Sequence, residues 1–352
     1  MTTRSKTTTH TLGSLGLAAL VVSALASRPA AAAEPTERAP AATRAKSYRH
    51  APVTLWLAPH VGTGGMATGT LKTNLAVSLG ASAYARLEGV DVGVGASWVT
   101  EAMRGVQTTA GFNFVGADVR GAQISVGANV ALDRVSGAQV SSGVNVGPAI
   151  GGAQIGLVNI GGQVSGAQVG LVNIGRRVKG TQIGLVNVAE DSSAPLGLFN
   201  LIKNGQQHLA LWASDSAPLN LGLKLGGRYV YAVLAAGLET SDGKKRWLAG
   251  FGMGGHIPLS ERFYLETDLL HWHVNEDEAW TDGQNALTTL RLVGGYRLHR
   301  RFSLFAGPTL NLLVTSVGGG EGFGLIRGAR LTADGSATTV RLWPGFSAGF
   351  QI

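Results

Sequence analysis

A tandem repeat of 14 to 16 residues constrains the fold of this chain more than any other feature. Its glutamines recur at steps of 16, 16, 15, 14 and 14 residues, and an asparagine follows each after five or six positions. The repeat positions are Gln107, Gln123, Gln139, Gln154, Gln168 and Gln182, with Asn113, Asn129, Asn145, Asn159, Asn173 and Asn187. Each glutamine lies in a frame [V/I/M]-x-G-x-Q, Asn200 closes the series, and Asp91 marks a degenerate first copy. Such self-similarity indicates a repeat architecture.

Within one copy the sequence alternates with a period of two. In residues 122–130 one face is Ala, Ile, Val, Ala and Val, and the other is Gln, Ser, Gly and Asn. This alternation predicts β-strands with one apolar face and one face of small polar residues.

Two all-β architectures can use this unit over residues 89–205. In a β-solenoid each copy is one coil, so every position keeps its environment and the Gln and Asn side chains stack into ladders. In an up-and-down barrel each copy is one strand, and successive strands run in opposite directions, so the unit is inverted at every copy. A hairpin of 14 residues is also too short to cross a bilayer at about 9–11 residues per strand. Topology therefore favours the solenoid, with further barrel strands as the alternative.

The region 206–352 shows the alternation of a membrane β-barrel. Residues 219–226 set four leucines against Asn, Gly, Lys and Gly, and segments 246–257, 302–314 and 340–352 alternate in the same way. Apolar side chains outside and small polar ones inside are typical of outer-membrane barrels. The sequence thus predicts a C-terminal antiparallel barrel of about eight strands.

The connections in this region give the predicted barrel an orientation. Short links at 226–227, 258–261 and 299–300 alternate with long polar ones at 239–245, 275–285 and 315–337. Outer-membrane barrels have short periplasmic turns and long outer loops. The start of the first barrel strand, the end of the last one and the preceding repeats are therefore expected on the periplasmic side. A soluble barrel or sandwich is the alternative. Aromatic residues near the strand ends argue against it: Tyr229, Tyr231, Tyr264, Trp272 and Trp343.

The N-terminus has the pattern of a secretory signal peptide. A basic start with Arg4 and Lys6 precedes an apolar run at 12–26 and the small-residue site Ala31-Ala32-Ala33. The run is shorter than the about 20 residues of a membrane-spanning helix, which disfavours an uncleaved anchor. We therefore expect a signal peptide at 1–33, a disordered spacer at 34–50 and further strands at 51–88.

Composition agrees with export to a bacterial envelope. Only 14% of residues are charged, 52 are glycine and none is cysteine, whereas typical soluble domains are about 25% charged. The absence of cysteine excludes disulfides, thiolate metal sites and a lipoprotein cleavage site. Removal of residues 1–33 lowers the formal charge from +8 to +5, and no dense basic run is present, so nucleic-acid binding is not expected.

The repeats resemble a family of bacterial surface-repeat outer-membrane proteins. That family carries tandem G-x-Q-[I/V]-G-[L/F]-[V/I]-N-[V/I] units, a closing GLFN segment and barrel-like strands after it. Here the resemblance covers residues 74–315 and is sharpest at 197–205, GLFNLIKNG. It implies an outer-membrane or surface location, with lipid and the barrel-assembly machinery as partners, and it brings no catalytic residues. The chain departs from the usual barrel end, a terminal Phe, because it finishes Phe350-Gln351-Ile352.

Two groups of polar residues in the barrel region are candidates for a site. His271 and His273 share one strand face ahead of Glu276, Asp277 and Glu278, and a third ligand from a neighbouring strand would be needed to hold a metal. A polar strand end is the simpler interpretation.

The second group lies on the lumen face. Glu266 and Asp268 share one face of their strand, and Arg291 and Arg297 share a face of the next. They predict a buried structural charge cluster or, alternatively, a network that plugs or tunes a narrow pore.

Hydrolase chemistry has weaker support. His208, Ser214 and Asp215 are close in sequence, but no G-x-S-x-G motif is present. The segment Gly318 to Gly322 lacks the lysine of a phosphate loop and is expected to be a flexible outer loop.

The sequence therefore predicts no catalytic residue, cofactor or metal. It favours a non-enzymatic outer-membrane protein whose barrel anchors a repeat scaffold or interaction surface. A passive channel with the repeats as barrel strands, and an outer-membrane hydrolase, are the alternatives.

Overall fold

The computed structural model describes residues 46–66, 68–240, 243–317, 323–326, 328–332 and 336–352. The predicted signal peptide, residues 34–45 of the spacer and the Gly318 to Gly322 loop lie outside these ranges. Everything described below belongs to one compact unit, Tyr48–Ile352. Its regular structure is β, apart from one 3-10 turn at Thr68–Thr70.

The first eighteen strands form a single sheet that winds as a solenoid. All its pairings are parallel except that of β1 with β2. The strands are β1 Arg49–Ala58, β2 Val61–Gly62, β3 Leu71–Ser78, β4 Ala81–Tyr84, β5 Arg86–Gly93, β6 Ala96–Val99, β7 Met103–Thr109, β8 Phe112–Val115, β9 Val119–Ser125, β10 Ala128–Ala131, β11 Arg134–Ser141, β12 Val144–Ile155, β13 Val158–Val164, β14 Ala167–Val169, β15 Val172–Ile183, β16 Val186–Ala189, β17 Asp191–Leu196 and β18 Phe199–Ile202.

Each repeat is one coil, so the solenoid prediction is confirmed and the alternative of barrel strands is wrong. Gln123 pairs with Gln107 and Gln139, and Asn129 pairs with Asn113 and Asn145, each in parallel register. Parallel pairing at a constant step gives every coil the same environment, which an up-and-down barrel cannot do.

The solenoid begins before the recognisable repeats. Strand β1 starts at Arg49, inside the last two residues of the predicted spacer, and pairs in parallel with β3. Strands β3 to β6, within or next to the predicted segment 51–88, continue the same stack. Asp91 lies opposite Gln107, so the degenerate copy at Asp91 occupies the glutamine position of its coil.

The interior of the solenoid is one column of aliphatic side chains beside two columns of amides. Val119, Val135, Ile150, Val164 and Val178 are at most 2% exposed and form part of one continuous core. Each lies four residues before a repeat glutamine, so each of these five coils contributes one valine or isoleucine, one Gln and one Asn to the inside.

The remaining strands close into an antiparallel barrel, as predicted. Eight long strands form the ring, β19 closes it by pairing with β27, and the two-residue β26 pairs beside β27. The strands are β19 Gln206–Ser214, β20 Leu219–Gly226, β21 Val230–Glu239, β22 Arg246–Pro258, β23 Phe263–Glu276, β24 Asn285–His299, β25 Phe302–Thr315, β26 Ala329–Arg330 and β27 Thr339–Gln351.

The barrel strands place apolar side chains outside and polar side chains inside. Leu219, Leu221 and Leu223 of β20 are 40–47% exposed, whereas the intervening Asn220 and Lys224 are at most 2% exposed. The same alternation holds in β22, β25 and β27.

One part of the barrel prediction was wrong. Of the five aromatic residues expected at the membrane interfaces, only Tyr229 is exposed. Tyr231, Tyr264, Trp272 and Trp343 are at most 3% exposed because they occupy inward positions of their strands. The outward aromatic residues near the strand ends include Tyr229, Phe263 and Tyr296 at the short-turn end and Trp247 and Trp280 at the long-loop end.

The last coil packs directly on the short-turn end of the barrel. Asn200 Nδ2 donates to Leu225 O at 3.4 Å. A Cβ added to Gly227, in the turn between β20 and β21, would lie 2.4 Å from Ser192 O and 2.7 Å from Pro195 Cδ. Glycine at 227 therefore allows the turn to approach the backbone of the last coil.

Candidate functional site

The repeat glutamines and asparagines lie in the core of the solenoid and form two amide ladders. All twelve side chains are 0% exposed. Along the Gln ladder, Nε2 of each residue donates to Oε1 of the preceding coil at 2.8–3.0 Å. Along the Asn ladder, Nδ2 of each residue donates to Oδ1 of the next coil at 2.8–2.9 Å.

The two ladders run in opposite directions, and their second N–H groups are also used. Asn129 Nδ2 donates to Val140 O at 2.8 Å, and Gln139 Nε2 donates to Val146 O at 3.1 Å. A buried amide costs free energy only where its hydrogen bonds are missing, and the opposed donor directions partly cancel the side-chain dipoles. The ladders therefore make a polar interior stable, and they hold the coils in register rather than presenting a surface.

The ladder ends differ from the interior. Pro195 lies opposite Gln182, so Gln182 Oε1 has no donor among the described residues. At the other end Gln107 Nε2 donates to Ser97 Oγ at 2.7 Å. Ser97 in turn donates to the buried Asp91, as do Ser82 and Tyr84.

The surface of the solenoid has two unlike edges, because each coil turns twice. The turn after the Gln column carries outward aliphatic side chains, which we call the apolar edge; Ile155, Leu157, Leu171, Ile183 and Leu185 are 44–56% exposed. It continues in the N-terminal coils through Leu55, Leu57, Val77, Leu79, Val92 and Val94. A run of exposed aliphatic side chains of this length is unusual for a soluble monomer and indicates a contact surface.

The other turn, after the Asn column, carries the charges and is called the charged edge. Its residues include Arg120, Asp133, Arg134, Arg177 and Asp191, all of them exposed. The surface of the solenoid is therefore amphipathic across its width.

The barrel lumen is filled by buried acid-centred clusters, three of which lie one above the other. At the short-turn end Lys224 Nζ lies 2.5 Å from Glu266 Oε2, and His256 Nδ1 lies 3.1 Å from Glu266 Oε1. In the middle, Asp268 accepts from Arg291 at 2.6 and 2.9 Å and from the Tyr231 hydroxyl at 2.6 Å.

The third cluster closes the long-loop end of the lumen around Asp215. Its carboxylate accepts from Trp343 Nε1 at 2.6 Å and from Asn311 Nδ2 at 3.2 Å. Trp212, Trp272 and Trp343, at most 4% exposed, occupy the remaining space. An eight-stranded barrel is just wide enough for side chains to fill, and here they do.

The predicted lumen cluster is partly as expected. Glu266 and Asp268 do face the lumen, and Arg291 pairs with Asp268. Arg297 does not join them, because its strand ends at the barrel mouth, where its Nη1 donates to Glu261 O at 3.1 Å.

The two candidate metal-binding histidines lie on the outer wall of the barrel. His271 is within 3.0 Å of Thr288 Oγ1, and His273 stacks on Trp280 with ring centroids 4.3 Å apart. Glu276 pairs instead with Arg246 at 2.9 Å. No group of three or more His, Asp or Glu residues that could hold a metal is found in the described part of the chain.

The candidate hydrolase residues are not brought together. His208 and Ser214 lie near opposite ends of β19, and Ser214 Oγ donates to Ala217 O at 3.1 Å. The Asp215 carboxylate accepts hydrogen bonds from Asn311 and Trp343 instead. The Ser–His hypothesis therefore has no geometric basis here.

Sequence reasoning missed two features of the barrel interior. The Asp215 cluster joins residues 94 to 131 positions apart, so no local pattern reveals it. Lys224, the partner of Glu266, could have been identified from the sequence as a lumen residue, because it is an isolated charge on the Asn–Gly face of residues 219–226.

Comparison with known proteins gave no family model, no curated protein and no solved structure that matches this chain. Among the described residues, no helix has the length and apolar character needed to cross a membrane. The closed barrel with its apolar outer face is compatible with an outer-membrane protein.

Proposed function

We propose that this chain is a non-enzymatic outer-membrane protein whose barrel anchors the solenoid on the periplasmic side as a scaffold. The observation that carries the proposal is the distribution of side chains in the barrel. Leucines of β20 are 40–47% exposed on the outer face, and ion pairs such as Lys224–Glu266 are buried in the lumen. In water this distribution would be unfavourable, whereas in a bilayer it is what the hydrocarbon requires.

The attachment of the solenoid supports the periplasmic side. The last coil packs on the end with the short turns, which is the periplasmic end of outer-membrane barrels. We infer that the apolar edge is the part of the scaffold that contacts other molecules, because the Gln and Asn ladders are buried.

A channel is not proposed. A channel would need the repeats to add strands to the barrel and so widen its lumen, whereas the repeats form a separate sheet. The lumen of the barrel is instead occupied by tryptophans and ion pairs.

Fractionation of cells that express the full chain tests the proposal. We expect the protein in the outer-membrane fraction, with faster migration on gels when the sample is left unheated, because small membrane barrels stay folded in detergent. Recovery in the soluble periplasm, with the same migration before and after heating, would refute the proposal.

A further inference from the structure

A cavity of about 330 Å³ lies where the last coil meets the barrel mouth. Asn204 and Gly205, which connect the solenoid to β19, and Gln206, the first residue of β19, form one wall. The opposite wall comes from the barrel turns. The connection between the two parts and the barrel itself therefore both contribute to the cavity.

The barrel turns bring four arginines to this cavity. Arg228 comes from the turn between β20 and β21, Arg297 from the end of β24, and Arg300 and Arg301 from the next turn. Among the described residues, no Asp or Glu lines the cavity. Four guanidinium groups without a lining carboxylate make the potential in the cavity strongly positive.

These arginines differ from those inside the barrel. Arg246 and Arg291 each pair with a carboxylate. At the cavity, Arg297 donates to the backbone oxygen of Glu261, and Arg228 lies 5.3 Å from the Tyr229 ring centroid. The side chains of Arg300 and Arg301 make no hydrogen bond or ion pair within the described ranges. Their donors are free for a ligand, and the fork of a guanidinium suits phosphate oxygens.

Two glutamines that line the cavity each have a buried side-chain oxygen without a partner. Gln206 and Gln351 are 7% and 3% exposed, and neither Oε1 has a hydrogen bond in the described structure. Gln206 Nε2 donates to Arg228 O at 3.2 Å, which fixes its amide so that Oε1 is the unused acceptor. Two unpartnered acceptors and four arginines among the lining residues indicate a ligand with an anionic group and a hydroxyl group.

His256 is a third polar residue in the lining of the cavity. Glu266 is held as a carboxylate by Lys224 at 2.5 Å and can only accept, so His256 Nδ1 donates to it. The imidazole is thereby held in place at the cavity with Nε2 unused.

We propose that this cationic cavity binds a phosphate ester that carries a free hydroxyl, such as a glycerol phosphate group. The arginines bind the phosphate, and Gln206 and Gln351 accept from the hydroxyl. The same chemistry occurs in soluble glycerol phosphate and in the headgroup of phosphatidylglycerol. The site is argued from the cavity alone and does not depend on the proposed location of the protein.

Binding to the purified full-length protein tests the site. The probes are glycerol phosphate, titrated by calorimetry, and phosphatidylglycerol against phosphatidylcholine in vesicles, with retained lipid counted by mass spectrometry. The test variant is Arg297→Gln/Arg300→Gln/Arg301→Gln. The control, Arg120→Gln/Arg134→Gln/Arg177→Gln on the charged edge, changes the net charge equally.

We expect the cavity variant to weaken binding at least tenfold, the usual effect of losing charge-assisted hydrogen bonds, and the control to stay within about twofold. Glycerol phosphate binding indicates a free ester, and selective retention of phosphatidylglycerol alone indicates a lipid headgroup; either result supports the site. Binding of neither probe, or equal losses in both variants, would overturn it.

The hydroxyl contact has its own test. Gln206→Met should weaken glycerol phosphate binding several-fold while leaving methyl phosphate binding unchanged, since both are phosphate monoesters and only glycerol phosphate has an alcohol hydroxyl to donate. Equal weakening of both probes would refute the role of Gln206.

Discussion

At the scale of single residues, the glycine of each G-x-Q unit is set by the distance between coils. A Cβ on Gly105, Gly121, Gly137, Gly152 or Gly166 would lie 1.9–2.0 Å from a carbonyl oxygen of the preceding coil. Gly105, Gly121, Gly137 and Gly166 also have φ between 129° and 148°, which side chains disfavour. In each G-x-Q unit the close approach of neighbouring coils therefore requires the glycine, and the ladder requires the glutamine.

Neighbouring glycines in β12 provide a matched test. A Cβ on Gly152 would lie 2.0 Å from Gly137 O, whereas on Gly151 its nearest neighbour is Val135 O at 3.6 Å. We expect Gly152→Ala to destabilise the surrounding coils by about 1–3 kcal/mol and Gly151→Ala to change their stability by less than about 0.5 kcal/mol. Local opening free energies from amide hydrogen exchange measure both, and equal effects would contradict this explanation of the motif.

Asp91 contributes to the dependence of solenoid stability on pH. Burial raises the pKa of Asp91, although Ser97, Tyr84 and Ser82 donate to its carboxylate and oppose the shift. Its neighbours in adjacent coils, Ala76 and Gln107, are uncharged. Because the folded pKa lies above the unfolded one, the stabilisation by Asp91 is complete below the unfolded value of about 3.9. It is lost as the pH rises through the folded pKa.

Asp91→Asn should therefore stabilise the solenoid at neutral pH. The difference in unfolding free energy between the variant and the parent should grow as the pH rises above about 4 and become constant once Asp91 is ionised. Urea unfolding of the full chain across this pH range measures it. A difference that is independent of pH, or that shrinks as the pH rises, would show that burial does not control this carboxyl.

At the scale of elements, the alternation of side chains along the strands predicted the barrel correctly, whereas the aromatic residues expected at the membrane interfaces were mostly wrong. Trp272 has the same parity as Glu266 and Asp268 in β23, and opposite parity to His271 and His273, so the sequence contained the signal that it faces the lumen. Counting aromatic residues near strand ends overlooked this parity. By contrast, the sequence could not reveal the Asp215 cluster or the arginines of the cavity, because their members come from separate turns that only the closed ring brings together.

The pair Lys224–Glu266 tests the energetics of the filled lumen. Lys224→Met leaves a buried carboxylate without its cation, and we expect a loss of about 3–5 kcal/mol. The double variant Lys224→Met/Glu266→Met should recover much of that loss. Thermal unfolding of the detergent-solubilised barrel measures both.

A surface pair gives the control for this prediction. Lys72 and Glu88 lie 2.6 Å apart with 30% and 40% of their side chains exposed, so Lys72→Met should cost less than about 1 kcal/mol. A loss for Lys224→Met as small as that for Lys72→Met would mean that water reaches the lumen and screens the pair.

At the scale of the whole molecule, the two parts share hydrogen-bonded polar side chains inside and exposed aliphatic side chains outside, although the solenoid also buries a column of aliphatic side chains. In the barrel this distribution suits lipid all around the ring. In the solenoid the exposed aliphatic side chains are concentrated at the apolar edge, and the charged edge lies across from it. The repeats alone predicted the ladders, but the burial of the Gln and Asn face depended on how each coil closes.

The side of the membrane on which each part lies is the most direct test of this account. The chain has no cysteine, so single cysteines at exposed positions, Asp282→Cys in a long loop and Asp133→Cys in the solenoid, can be labelled with a membrane-impermeant maleimide. We predict labelling of Asp282→Cys on intact cells and of Asp133→Cys only after the outer membrane is permeabilised. Labelling of Asp133→Cys on intact cells, or of Asp282→Cys only after permeabilisation, would contradict a barrel that anchors a periplasmic solenoid.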